Sequence, residues 1–276
     1  MTAPRVSDLH RTAFVTGAST GLGRAFTEML LAEGVSVWGT ARDTARLAAL
    51  ATQPGFTAVA LDLRDGARAQ AVFEEAARAA GGFDLVINNA GYGVYGGFAA
   101  TDFSFWQAQL EVMLVNTARL AHAALRGMLA RKRGALVNIS SLGAEFPLPY
   151  QSAYNMAKAG LTALNESLML EVADTPVVIL DVRPGDYRTD FEGAMHRPPG
   201  EVTPRMERGW KAFAAMMQSG PAPAHAAAAL RRALLRNRSG TVRTGNFFQA
   251  VAAPFLARFG SLGLRRRIQA RYFDVS

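Results

Sequence analysis

Residues 12–24 read Thr12-Ala13-Phe14-Val15-Thr16-Gly17-Ala18-Ser19-Thr20-Gly21-Leu22-Gly23-Arg24. Four β-prone residues come first, then three glycines in the spacing G-x-x-x-G-x-G, then an Ala/Leu-rich stretch running to about Glu33. A strand, a tight turn and a helix fit this order. Glycines let the backbone turn sharply and come close to a ligand phosphate, which then rests on the positive N-terminus of the helix. Gly-rich turns between strand and helix also arise for geometry alone, so the rest of the chain has to decide.

The rest of the chain repeats the pattern. Short apolar runs at Val35–Thr40, Thr57–Leu61, Phe83–Asn88, Ala135–Ser140 and Val177–Val182 alternate with helical stretches, including Asp65–Ala80, Trp106–Arg131 and Ser152–Ala173. A weaker seventh run lies at Thr241–Thr244. This alternation predicts a single α/β domain over residues 1–276, a doubly wound parallel sheet with helices on both faces. The first turn of such a sheet is where a dinucleotide binds. Residues 190–220 break the rhythm with three prolines, four methionines and Trp210, which reads as an apolar lid over a substrate.

A second cluster carries proton chemistry. Tyr154 and Lys158 stand four apart on a predicted helix, so they share one face. A free tyrosine has a pKa of about 10, and a neighbouring cation makes tyrosinate accessible, giving a general acid/base. Ser140 and Ser141 end the fifth strand, where ligands bind in parallel sheets. One hydroxyl would face the cleft and polarise a carbonyl oxygen; the alternative is that both cap the next turn.

Taken together, Thr16–Gly23, Asn88-Asn89-Ala90-Gly91, Asn116, Ser140-Ser141, Tyr154-x-x-x-Lys158 and Pro184-Gly185-x-x-x-Thr189 resemble the short-chain dehydrogenase/reductase superfamily over Thr12 to Thr189. The resemblance implies a Rossmann-type sheet of order 3-2-1-4-5-6-7 and a catalytic set of Asn116, Ser141, Tyr154 and Lys158. It selects Ser141 over Ser140 by its distance from the tyrosine, and gives Asn116 the helix geometry and a water linking Lys158 to solvent. It implies a nicotinamide cofactor touched by Gly17, Ser19, Thr20, Gly21, Leu22, Gly23, Asn89, Ala90, Gly91, Tyr154, Lys158, Pro184, Gly185, Tyr187 and Thr189. Asp62, with Leu63, would lie at the adenine, although Asp62 also suits a helix N-cap. Asp186 and Tyr187 depart from the family pattern, which usually has an aliphatic residue where Tyr187 stands, so Tyr187 is expected to reshape the substrate side.

The second strand would choose between cofactors. An acid at its end would bond a ribose 2′-hydroxyl and repel a 2′-phosphate; here Ala41 and Arg42 stand instead. A guanidinium suits phosphate, so NADP(H) is expected over NAD(H). Arg42 also reads as a surface arginine opening a helix. Candidate substrate contacts are apolar: Tyr92, Val94, Phe146, Leu148, Tyr187, Phe191 and Trp210. They suggest a hydrophobic ketone, aldehyde or secondary alcohol.

Composition closes off other classes. The chain has 276 residues and no cysteine, excluding disulfides and thiolate metal sites and fitting a reducing cytoplasm. No secretory leader or membrane-spanning run is expected. The four histidines lack metal-ligand spacing, so no metal is expected. Gly17–Gly21 matches G-x-S-x-G, yet no histidine completes a hydrolase triad. The competing class is a cofactor-binding regulator without turnover, which would not need the whole Asn-Ser-Tyr-Lys set.

The net charge is +8, and residues 231–276 hold ten arginines and one acid, so the excess sits in the tail. Within Phe247–Phe273, apolar anchors alternate with Arg258, Arg265, Arg266, Arg267 and Arg271. That mixture fits peripheral contact with an anionic membrane. It equally fits a face packed on the domain or on a second subunit. No nucleic-acid motif accompanies the charge. A homo-dimer or tetramer is what the family resemblance implies.

Overall fold

The computed structural model describes residues 3–257 and 259–276. Arg258, one of the tail arginines, lies outside the described residues, as do Met1 and Thr2. The leading elements are β1 (Thr12–Val15), α1 (Gly21–Ala32), β2 (Ser36–Ala41), β3 (Phe56–Ala60), α2 (Gly66–Ala79) and β4 (Leu85–Asn88). Next come α3 (Phe103–Leu110), α4 (Asn116–Arg131), β5 (Gly134–Ile139), α5 (Ser152–Glu171) and β6 (Val177–Pro184). The last are α6 (Pro204–Ser219), α7 (Pro223–Arg236), β7 (Gly240–Thr244) and α8 (Leu262–Tyr272).

The seven strands form one parallel sheet of order β3-β2-β1-β4-β5-β6-β7, as expected, and the weakly signalled seventh strand is real. Side chains alternate across a strand, and the core follows that rule. Ala13, Val15, Leu85, Ile87, Val137 and Leu180 bury against α1 and α7. Phe14, Val86, Leu136 and Ile179 face the opposite way, toward Phe73 of α2, Leu120 and Met128 of α4 and Leu168 of α5. Both faces are covered, which is why these strands are apolar throughout.

Two elements differ from expectation. The helix expected over Trp106–Arg131 is split by a π-helical turn at Glu111–Val115, directly before Asn116. The 190–220 stretch, expected as an apolar lid, carries regular structure. Met195–His196 pairs with Gly93–Val94 as a small parallel ribbon, and α6 follows, capped by Thr203.

One row of polar side chains crosses the centre of the sheet. Asn88, Asn138 and Asp181 sit in register on β4, β5 and β6. Asn88 donates to Asn138 at 2.8 Å, Asn138 to Asn165 of α5 at 2.6 Å, and Asn165 to Asp181 at 3.1 Å. Buried Arg183 adds an ion pair to Asp181 at 2.7 Å and reaches Glu145 at 2.6 Å. Buried polar groups are tolerable only when partnered, so this chain of bonds holds strands and α5 in one register.

Candidate active site

The glycine turn is built as its spacing requires. Gly17 and Gly21 have φ of +68° and +56°, a region costly for residues with a Cβ. A Cβ on Gly23 would meet the Gly17 carbonyl oxygen at 2.1 Å, so this glycine serves close packing beneath the turn and does not line the cleft. The Thr16 hydroxyl accepts from the backbone N–H groups of Asn89 (2.9 Å) and Ala90 (3.0 Å), and the Asn89 amide donates to the Thr16 carbonyl at 3.0 Å. The two loops thereby brace each other. No side chain caps α1, so its N-terminal donors are left for a ligand.

A cleft of about 1750 Å³ runs along the carboxyl ends of the strands. Every other cofactor residue expected from sequence borders it: Ser19, Thr20 and Leu22 beside the glycines, Arg42 after β2, Leu63 after β3, and Thr189 after β6, with those between them. Asp62 borders it as well, but holds Arg64 in an ion pair at 2.6 Å that pulls its carboxyl below the usual range. It is not a helix cap: Asp65 caps α2 by accepting from the Arg68 N–H at 2.9 Å. Arg46, four residues beyond Arg42, borders the same end of the cleft; it is absent from the expected contacts, although the i, i+4 repeat of arginines is readable in the sequence.

At the end of β5 the two serines separate. Ser140 is turned into the sheet, its hydroxyl bonded to Asp181. Ser141 borders the cleft, and its oxygen accepts from the Gly143 N–H at 2.9 Å. It therefore caps a turn and faces the ligand space at once. Tyr154 lies on α5 and borders the same cleft. Burial pushes the Tyr154 phenol up to about 12, with Ser141 pulling the other way. Lys158, a turn further, has its Nζ 5.6 Å from the Tyr154 ring centroid and donating to the Ile139 carbonyl at 2.6 Å. Burial lowers its ammonium to about 8, with Asp181 opposing. Asn155 bonds both the N–H and carbonyl of Leu148, fixing the loop beside Tyr154.

Asn116 stands directly after the π-helical turn, at the start of α4. Its amide donates to the Leu63 carbonyl at 2.8 Å, it does not border the cleft, and it makes no hydrogen bond to Lys158 among the described residues. The π turn aims it at the β3 loop, where a Cβ on Gly66 would meet its Oδ1 at 1.9 Å.

On the substrate side Tyr92, Val94, Phe146, Leu148 and Phe191 wall the cleft as expected. One expectation is corrected. Trp210 does not reach the cleft; it packs on Tyr95 at 5.1 Å beneath the Arg197 guanidinium. Tyr187 borders the cleft, is 1 % exposed, and bonds Thr244 at 2.6 Å and His225 at 2.8 Å through its hydroxyl, which ties this side of the cleft to β7 and α7. The remaining wall comes from the tail. Phe248, Leu256, Phe259, Leu264, Ile268 and Tyr272 close over the site. Gln249 ties the tail to Asp186: its Oε1 accepts from the Asp186 N–H at 3.3 Å, and its Nε2 donates to the Asp186 carboxylate and, at 3.1 Å, to the Tyr272 hydroxyl. Burial raises the Asp186 carboxyl. A Cβ on Gly185 would meet Gln249 Oε1 at 2.5 Å, so the tail closes this tightly only over a glycine. Nothing in the pattern of residues 245–276 announces this role.

Among the described residues no group of acids and histidines could hold a metal, and no helix is long and apolar enough to cross a membrane.

A family model described as short chain dehydrogenase matches residues 11–199. The chain is 34% identical over 189 residues to oxidoreductase BOA17 of Botryotinia fuckeliana, covering 67% of this chain and 69% of that one. It is 31% identical to a 3-oxoacyl-[acyl-carrier-protein] reductase of Vibrio harveyi, with coverage of 67% and 76%. A short-chain dehydrogenase structure from Streptomyces avermitilis superposes with a TM-score of 0.81 at 32% identity, over 94% of this chain and 96% of that one.

Proposed function

We propose that this chain, which belongs to the short-chain dehydrogenase family and is an NAD(P)-dependent oxidoreductase, prefers NADP(H) and acts on an apolar ketone, aldehyde or secondary alcohol. The observation that carries the reading is the convergence of Ser141, Tyr154 and Lys158 on one apolar-walled cleft whose far end holds Arg42 and Arg46 beside Asp43 and Asp62, with Ala41 and no acid at the end of β2.

The residues present fit a dinucleotide. The turn at Gly17–Gly23 leaves helix N-terminal donors open, and the two arginines suit a 2′-phosphate by charge and fork geometry. When bound, NADPH would supply the hydride. The Ser141 hydroxyl would donate to the substrate carbonyl oxygen, and Tyr154 would deliver the proton that completes the alcohol. With its phenol up near 12, Tyr154 is protonated at neutral pH and ready to act as the acid. Lys158, held by the Ile139 carbonyl, would stabilise the tyrosinate left behind. In the oxidative direction the same groups work in reverse.

The test is a titration with NADPH and NADH, followed by nicotinamide fluorescence. NADPH should bind far more tightly, and Arg42→Ala should weaken NADPH roughly 10- to 100-fold, the range of one lost charge-assisted bond, while leaving NADH nearly unchanged. Equal affinities would overturn the cofactor preference. Binding of neither would overturn the dehydrogenase reading.

A further inference from the structure

The proposed chemistry makes no use of the outer face of the tail. After β7 the chain forms a π-helical turn at Phe248–Ala252, a short helix at Ala253–Leu256, and then α8. The inner side of this segment walls the substrate cleft. Its outer side carries Phe247 (75 % exposed), Val251 (52 %), Phe255 (59 %) and Leu262 (59 %), none of which borders the cleft. Phe247, Val251 and Phe255 recur every fourth residue and so form one stripe on a helical surface, and Phe255 packs edge-on at 5.3 Å against Phe259 at the rim of the cleft. Soluble surfaces carry large apolar residues singly; a continuous stripe marks a contact surface.

The charges on α8 divide the same way. Leu264, Ile268 and Tyr272 turn toward the cleft, whereas Arg266, Arg267 and Arg271 are not among its walls. Among the described residues those three make no ion pair, although Arg231 and Arg243, earlier in the same basic stretch, are paired with Glu33 and Glu145. Residues 247–271 hold five arginines and no acid, which gives this segment a positive field. A second copy of the chain is a poor occupant: a two-fold contact through this patch would set the same arginines against themselves. A surface that is at once apolar and negative fits both features.

We propose that the outer face of residues 247–271 docks on an anionic lipid bilayer, setting the mouth of the substrate cleft against the membrane so that an apolar substrate passes directly between lipid and enzyme. The passage of substrate rests on the apolar-substrate reading; the docking does not. Apolar side chains would enter the headgroup boundary while arginines meet lipid phosphates, the usual division of labour in interfacial segments.

The experiment is flotation of the full chain, loaded with NADPH, on vesicles of phosphatidylcholine alone and of phosphatidylcholine with about 30 mol% phosphatidylglycerol, enough anionic lipid to give a strong surface potential. Expected is binding to the anionic vesicles only, weakened by salt. The triple variant R266E/R267E/R271E should lose about a hundredfold or more in partitioning, and F247S/F255S should also release the protein. Both variants should still bind NADPH with the parent's fluorescence response, showing an intact fold and separating this test from that of the cofactor reading. No flotation on anionic vesicles would overturn the proposal. So would flotation untouched by both variants, or a dimer in light scattering that F247S/F255S dissolves without any vesicle binding.

Discussion

The floor of the cleft, built by residues 12–189 together with α7 and β7, and the tail that covers it, residues 245–276, are held by different forces. In the floor, polar side chains near the chemistry are mostly buried and bonded. Thr16 and Asn89 clamp the glycine turn, Asn88, Asn138, Asn165 and Asp181 cross the sheet, and Lys158 is anchored on Ile139. In the cover, large apolar side chains stand half exposed, and few polar contacts tie the tail to the body, Gln249 on Asp186 chief among them. Reaction chemistry needs groups fixed to a fraction of an ångström, and a satisfied buried network supplies that. Substrate choice needs an apolar enclosure that opens, and a weakly tied cover supplies that. The family model, ending at residue 199, matches most of the first region and none of the second.

The largest effect should come from the floor. Tyr154→Phe removes the proton donor and keeps the ring that packs on Phe191 at 5.9 Å. Turnover should fall about a thousandfold, within the range for loss of a general acid, while NADPH affinity changes little. Near-parental turnover would break the division, because the chemistry would then not depend on the floor's best-placed group.

Lys158 sharpens the comparison by opposing stability to function. An ordinary lysine keeps its proton to about 10.5, whereas burial brings this one to about 8. Below pH 8 the ammonium is charged in both folded and unfolded chains, and only the folded chain bears its desolvation. Between those values the unfolded chain holds the extra proton, so raising the pH stabilises the fold. Lys158→Met should abolish activity yet raise unfolding free energy at neutral pH by about 2 kcal/mol, roughly 3 from relieved desolvation less about 1 for the lost Ile139 bond. Chemical denaturation at pH values from neutral up to about 10.5 checks it: the advantage should shrink as pH rises. A variant less stable than the parent at neutral pH would mean that the charge is already compensated in the folded chain.

The two regions also differ in how far they could be read from sequence. Glycines at Gly17 and Gly21, the Tyr154–Lys158 spacing and the Ala41-Arg42 pair are short-range signals, since each constraint lies within one turn or one strand end. All three proved local in the fold as well. Ser141 was distinguished from Ser140 only by resemblance, because the reason is long-range: Asp181 on the neighbouring strand takes the Ser140 hydroxyl. Asn116 sat on an unbroken helical pattern, and a π turn carries no periodic signature, so its orientation toward Leu63 was not legible. Trp210 reads as a pocket wall because aromatic side chains fit pockets and cores equally; Tyr95, distant in sequence, claims it. The tail was hardest. Its inner and outer faces mix Phe, Leu and Arg in a way that fits packing and surface contact alike, and the inner face does pack over the cleft.

Gln249→Ala gives the smallest expected effect and tests the cover directly. The substitution cuts the tie between the tail and the Pro184-Gly185-Asp186 turn, removing the bonds that Gln249 makes to Asp186 and to the Tyr272 hydroxyl. One net hydrogen bond is worth about 1 kcal/mol, so the closed cover should lose roughly fivefold in population relative to open forms. Enclosure of substrate should weaken in proportion, raising KM for an apolar ketone several-fold while kcat and NADPH affinity stay near parental values. Steady-state kinetics with a matched NADPH titration separates the alternatives. A fall in kcat as deep as that of Tyr154→Phe would place Asp186 and the tail within the catalytic frame. No change in KM would mean that the tail's apolar packing alone holds it over the site, with the Gln249 bond incidental to closure.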